Sequence, residues 1–117
     1  MNKIILIGRL TRDPELRYTS ATQKAVCHFT LAVDRINKAE GTDFFSIEAW
    51  NKQAENCEKF LSKGSKACVE GRGEFEKYEK DGKTIERFKV KADRVEFIGS
   101  KEDRPESFED IKEALPF

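Results

Sequence analysis

Phe44-Phe45-Ser46-Ile47-Glu48-Ala49-Trp50 alternates cleanly, and successive side chains of a strand point to opposite faces. Phe45, Ile47 and Ala49 then share a core face, while Phe44, Ser46, Glu48 and Trp50 share the other. A packed interior would not tolerate that serine and glutamate beside two large rings, so the second face is expected to be wet and to display aromatics. Rings in water near cations suit the binding of unpaired nucleobases. Every base has a π-face, so stacking is tolerant of sequence, and Lys or Arg follows the phosphates. Lys52 lies two residues beyond Trp50, and Lys63 and Arg35 complete the expected phosphate partners. Tyr78, among Lys77, Lys80 and Lys83, offers a third ring from a mobile arm. One ring alone would as readily be a core or interface residue; three with polar neighbours favour single-stranded nucleic acid.

The constellations of an enzyme are missing. The sequence has no Gly-rich phosphate loop, no Ser or Cys with a plausible His, and no acidic cluster spaced for a metal. Gly71-Arg72-Gly73 is too short for a nucleotide fingerprint and suits a bending barrel strand, and Glu70 and Glu74 read as surface charges. Cys27, Cys57 and Cys68 are odd in number and widely spaced, with His28 the single histidine. Buried, reduced thiols are expected rather than zinc ligands. No catalysis, metal or cofactor is expected.

The elements that must position the rings follow from pattern. A chain of 117 residues, 38% hydrophobic and 38% charged, is one domain with a modest core. Ile4-Ile5-Leu6-Ile7 is far too short to span a membrane, so the cytoplasm is the default, and this strand is apolar on both faces. Its outer face is expected to meet a partner subunit, unless a loop or helix covers it. Val26–Val33 puts Cys27, Phe29, Leu31 and Val33 on one side, and Lys38-Ala39-Glu40-Gly41 reads as a loop. Asn51 fits a helix N-cap, Ala54, Cys57, Glu58 and Leu61 recur at helical spacing, and Gly64 reads as the C′ residue. Asp81-Gly82 marks a type I′ hairpin between Lys66–Glu79 and Lys83–Ile98. Phe88, Val90 and Ala92 are out of phase with Val95 and Phe97, so a bulge is expected near Asp93-Arg94. The reading is a mainly β chain: a five-stranded Greek-key barrel of the OB-fold, with one helix between strands 3 and 4.

Residues 1–98 form the barrel domain and carry 19 basic and 16 acidic groups; residues 99–117 form a short acidic tail with three basic and six acidic groups. The tail stops at Leu115-Pro116-Phe117, apolar side chains that either fold back on the body or are held out for another protein. As a flexible coil it would reach roughly 25 Å. Ser107 with Asp110 suggests a capping box, placing Phe108, Ile111 and Leu115 on one helical face.

In order along the chain, Met1 to Tyr18 (MNKIILIGRLTRDPELRY), Phe29-Thr30-Leu31-Ala32-Val33, Trp50 with Ala54-Glu55, Lys63-Gly64-Ser65, Val69-Glu70-Gly71-Arg72 and the Leu115-Pro116-Phe117 end resemble the bacterial-type single-stranded DNA-binding proteins, which bind through OB-folds. The resemblance implies a sequence-independent coat on single-stranded DNA in replication, recombination and repair. It implies a homotetramer, or a dimer, in the cytoplasm on the nucleoid, or in a host's cytoplasm if phage-encoded. Phe44, Trp50 and Tyr78 fall where the family places stacking rings. Asp110, Leu115, Pro116 and Phe117 resemble its docking peptide for replication and repair proteins. Three features depart from the family. Asn37 stands where some members carry a tryptophan, and Glu74 and Glu76 share a face with Tyr78 where arginines are common. The linker is short. The carboxylates are expected to weaken binding along that arm or to give Tyr78 another role. An OB-fold adaptor working mainly through protein contacts is the alternative.

Overall fold

Among the described residues, six strands and one α-helix take up the alternating segments. The computed structural model describes residues 1–99 (for Lys38, the backbone alone), so the acidic tail, with Asp110 and the Leu115-Pro116-Phe117 tip, lies outside the described residues. In chain order these are β1 (Ile4–Leu10), β2 (Glu15–Tyr18), β3 (Ala25–Asp34), β4 (Thr42–Trp50), α1 (Asn51–Phe60), β5 (Lys66–Lys80) and β6 (Lys83–Gly99).

The strands lie in the order β1-β5-β6-β4-β3-β2, and β1 also pairs with β3 through Arg9 and Leu10. That extra pairing closes a ring of five strands, with the short β2 flanking β3 outside it. This is the expected OB barrel, and α1 falls between the third and fourth strands of the ring. Leu6, Leu31, Ile47, Val69 and Val90 fill the interior, and α1 adds Ala54 and Cys57. The β1 side chains split as the sequence predicts. Leu6 is buried, whereas Ile5 and Ile7 are 61% and 38% exposed; no described loop or helix covers that face.

The hairpin forms at Asp81 (φ 52°) and Gly82 (φ 77°), both in the left-handed region that a type I′ turn requires. The bulge is where the phase change put it. Glu70 faces Arg94 and Gly71 faces Ala92, leaving Asp93 unopposed; a second irregularity leaves out Ile98. Gly71 is required because a β-carbon there would strike the Lys91 backbone as β6 crosses over.

Three local expectations are corrected. Asn51 does not cap α1. It adopts φ 56°, which asparagine tolerates, to turn the chain sharply out of β4, and Trp50 holds the cap position with no side-chain bond. Gly64 is not the C′ residue. The helix stops at Phe60 because Leu61 turns inward to the core, and Gly64 (φ 88°) lies in the following turn, donating to Leu10 O at 2.9 Å. Lys38–Glu40 is a single 3₁₀ turn rather than plain loop.

Candidate nucleic-acid interface

Strand register assembles an outward face across the barrel. On β3 and β4, Val26 stands opposite Trp50, His28 opposite Glu48, Thr30 opposite Ser46 and Ala32 opposite Phe44; on β6, Lys91 stands opposite Glu48. Arg87, Lys89 and Lys91 alternate along β6, so all three share this face. The next strand, β5, sets Glu74 against Lys89, Glu76 against Arg87 and Tyr78 against Ile85.

Phe44 and Trp50 thus share one face of β4, roughly 20 Å apart along the strand. Phe44 is 66% exposed and Trp50 half-buried; Tyr78, out on the β5–β6 arm, is 43% exposed.

Glu48 is not the wet side chain that alternation suggests. It is 8% exposed and sits under its neighbours. Trp50 Nε1 donates to its Oε2 at 2.9 Å, Lys89 Nζ lies 3.3 Å from both oxygens, and His28 Nε2 lies 3.3 Å from Oε1. Burial pushes the carboxyl up, but the Trp50 bond, the Lys89 charge and the Lys89 and His28 bonds together outweigh it and hold Glu48 below the usual range. Burial likewise pulls Lys89 down, and its bonds and charge interactions with Glu76 and Glu48 lift it above normal. Lys91 Nζ lies over the Trp50 ring, 5.7 Å from its centroid.

Other cations on the face are also paired. Arg72 holds Glu74 at 2.8 Å, Arg87 reaches Glu76 at 3.4 Å, and Arg17 holds Glu15 at 2.6 Å. Lys89 is bridged to Glu76 as well as to Glu48. Glu74 and Glu76 are therefore not bare carboxylates beside Tyr78, because β6 and Arg72 neutralise them.

The expected phosphate residues scatter. Arg35 is gripped by Asp43, with contacts of 2.9, 3.2 and 3.3 Å. Lys52 stands exposed in the first turn of α1. Lys63 is exposed too, and its backbone N–H donates to Asp13 Oδ1 at 2.8 Å. Asp13 borders an open groove of about 480 Å³ that includes Arg12, Arg17, His28, Thr30, Ser46 and Arg87. Lys63 is thereby tied to the groove rim, whereas Arg35 and Lys52 are not among the lining.

Sequence reasoning missed the groove arginines, Lys89 and Lys91. The signal was there: Arg87-Phe88-Lys89-Val90-Lys91 places a cation at every second position. Among the described residues no cluster of His, Cys, Asp or Glu could hold a metal ion, and no helix is long and apolar enough to cross a membrane.

Comparison with known proteins identifies a family. Residues 1–98 match the single-strand binding protein family. The chain is 49% identical to single-stranded DNA-binding protein 2 of Clostridium acetobutylicum over 102 residues, covering 84% of this chain and 77% of that protein. It is 47% identical to single-stranded DNA-binding protein 3 of Listeria innocua over 107 residues, covering 87% and 66%. It is also 47% identical to a single-stranded DNA-binding protein of Staphylococcus aureus over 106 residues, covering 86% and 67%.

Proposed function

Because the chain belongs to the single-strand binding protein family, we propose that it coats single-stranded DNA irrespective of sequence during replication, recombination and repair. Bases stack on Phe44 and Trp50, phosphates run along the cations of β6 and the groove, and Tyr78 adds a contact from the hairpin arm. The observation that carries this reading is the placement of Phe44 and Trp50 on one outward face beside the Arg87, Lys89 and Lys91 row. Lys52 and Lys63, exposed and in no ion pair among the described residues, serve as peripheral phosphate contacts. Arg35 contributes only by exchanging Asp43 for phosphate. The role is binding, without catalysis or cofactor, in the cytoplasm.

The outward Ile5 and Ile7 support assembly through β1, as a homotetramer built from such pairs. The Leu115-Pro116-Phe117 tip, with Asp110 in its acidic approach, recruits replication and repair proteins. The adaptor alternative drew on Glu74, Glu76 and Asn37, and the pairing of the two carboxylates to Arg72, Arg87 and Lys89 weakens it.

Trp50 is the single tryptophan, so its fluorescence tests the reading directly. Titration with oligo(dT) at low salt should quench it to saturation at a fixed number of nucleotides per subunit. An unchanged signal at low salt would remove Trp50 from the DNA path and favour the adaptor.

A further inference from the structure

We propose that Glu48 is a positioning residue, a buried carboxylate that holds the Trp50 indole in the orientation that accepts a base. The inference rests on the reading of Trp50 as a stacking residue. A tryptophan on a strand has two soft side-chain torsions, and a free ring would lose that freedom on binding. Here the ring is fixed at one edge and attended on its surface: Nε1 donates to Glu48 Oε2 at 2.9 Å, and Lys91 lies over the ring.

The anchor is itself immobile. Glu48 is 8% exposed, and its oxygens take His28 from β3 and Lys89 from β6 as well as Trp50. An ordinary surface pair two residues apart on a strand would have none of that restraint. Burying a carboxylate is costly, and a β-branched apolar residue would fill a strand position at less cost. Among the described residues, every hydrogen bond that the Glu48 carboxylate accepts comes from the face assigned to DNA, and one of its donors is the ring itself.

The two functions of the carboxylate separate by substitution. Glu48→Gln keeps an acceptor for the indole N–H and removes the charge; Glu48→Val removes both. Trp50→Phe removes the donor and keeps a ring. Two readouts are needed: hydrogen exchange of the single indole N–H in the DNA-free protein, and affinity for dye-labelled oligo(dT) by anisotropy. Wild type and Glu48→Gln should exchange slowly and bind within about twofold of each other. Glu48→Val should expose the N–H to rapid exchange and weaken binding by about two- to tenfold, the worth of one net hydrogen bond. In the Trp50→Phe background, Glu48→Val should leave affinity unchanged.

An equal loss in that background would overturn the proposal, since Glu48 would then act on the strand and not on the ring. Indole exchange at the rate of free tryptophan in the wild-type protein would overturn it too, with no variant needed. If Trp50→Ala binds oligo(dT) as well as wild type, the stacking role of Trp50 fails and the inference goes with it. Slow indole exchange alongside that result would mark the first reading as the one at fault.

Discussion

Asn2 and Gly73 exchange two hydrogen bonds across 71 residues of chain: Asn2 Nδ2 donates to Gly73 O at 2.6 Å, and Gly73 N donates to Asn2 Oδ1 at 3.1 Å. The clamp ties the residues before β1 to β5 where the barrel gives way to the hairpin arm. Asn2→Ala should cost about 0.5–1.5 kcal/mol in urea unfolding, because the pair is solvent-exposed. Amide exchange at Gly73 should quicken while Val69, deep in the same strand, stays protected. Uniform loss of protection would mean that Asn2 holds the whole barrel and not the arm.

The two glycines flanking Arg72 should respond differently to a methyl group. At Gly71 the β-carbon meets the Lys91 carbonyl and the Ala92 Cα, atoms of a paired strand that cannot step aside. At Gly73 it meets the Phe88 ring, 2.5 Å from Cζ, and a ring can turn. Gly73→Ala should cost about 1–3 kcal/mol and loosen the Phe75–Phe88 pair, whose centroids are 5.0 Å apart. Gly71→Ala should cost more than Gly73→Ala, and thermal melts in which the order is reversed would contradict the account of β6.

Glu76 holds Arg87 and Lys89, so Glu76→Arg trades internal pairing for free positive charge. Oligo(dT) affinity should rise, its salt dependence should steepen, and the melting temperature should fall. Affinity unchanged at every salt concentration would place the arm outside the DNA path.

Acid should release Glu48. Against its burial, the Trp50 and Lys89 contacts hold its carboxyl below the ordinary glutamate range when folded, so its contribution to stability is complete above that ordinary range and is lost as pH falls through the lower, folded pKa. The groups facing it are His28 from β3, Trp50 from its own strand, and Lys89 from β6, which Glu76 of β5 shares. Glu48→Gln should therefore flatten the stability profile on the acid side, and a profile parallel to wild type would show that other carboxylates govern acid unfolding.

Thiol reactivity should follow depth. Burial, with some help from Glu58, pushes Cys27 up to about 11, and burial, with Cys27 beside it, pushes Cys57 up to about 12; both are fully covered. Cys68 is partly exposed and raised for the same main reason. At pH 8 an aromatic disulfide reagent should label Cys68 first and reach the other two only as the protein unfolds.

Local codes were legible in the sequence and packing codes were not. Asp81-Gly82 and the phase change at Asp93 fixed the hairpin and the bulge because each is written within a few residues. Asn51 was misread because asparagine both caps helices and tolerates positive φ, and only the tight exit from β4 selects the second use. Glu48 was misread because alternation assigns a face without saying what covers it. Its cover is Lys89, 41 residues on, brought alongside by the parallel β4–β6 pairing. The paired state of Glu76 was hidden for the same reason, since its partners Arg87 and Lys89 stand on the opposite arm of the hairpin; Glu74 is held by Arg72, two residues away on its own strand.

The carboxylates threaded among the cations have a consequence for what this face ignores. Arg17, Arg72, Arg87 and Lys89 each already hold an acid. A polymer that brings only negative charge must evict those acids and gains little, because one ion pair replaces another in the same water. What tips the exchange is a polymer that also brings flat faces to Phe44 and Trp50. Duplex DNA keeps its bases stacked on one another and has none to spare, so under the proposed function the internal acids are a filter that lets the double helix go by.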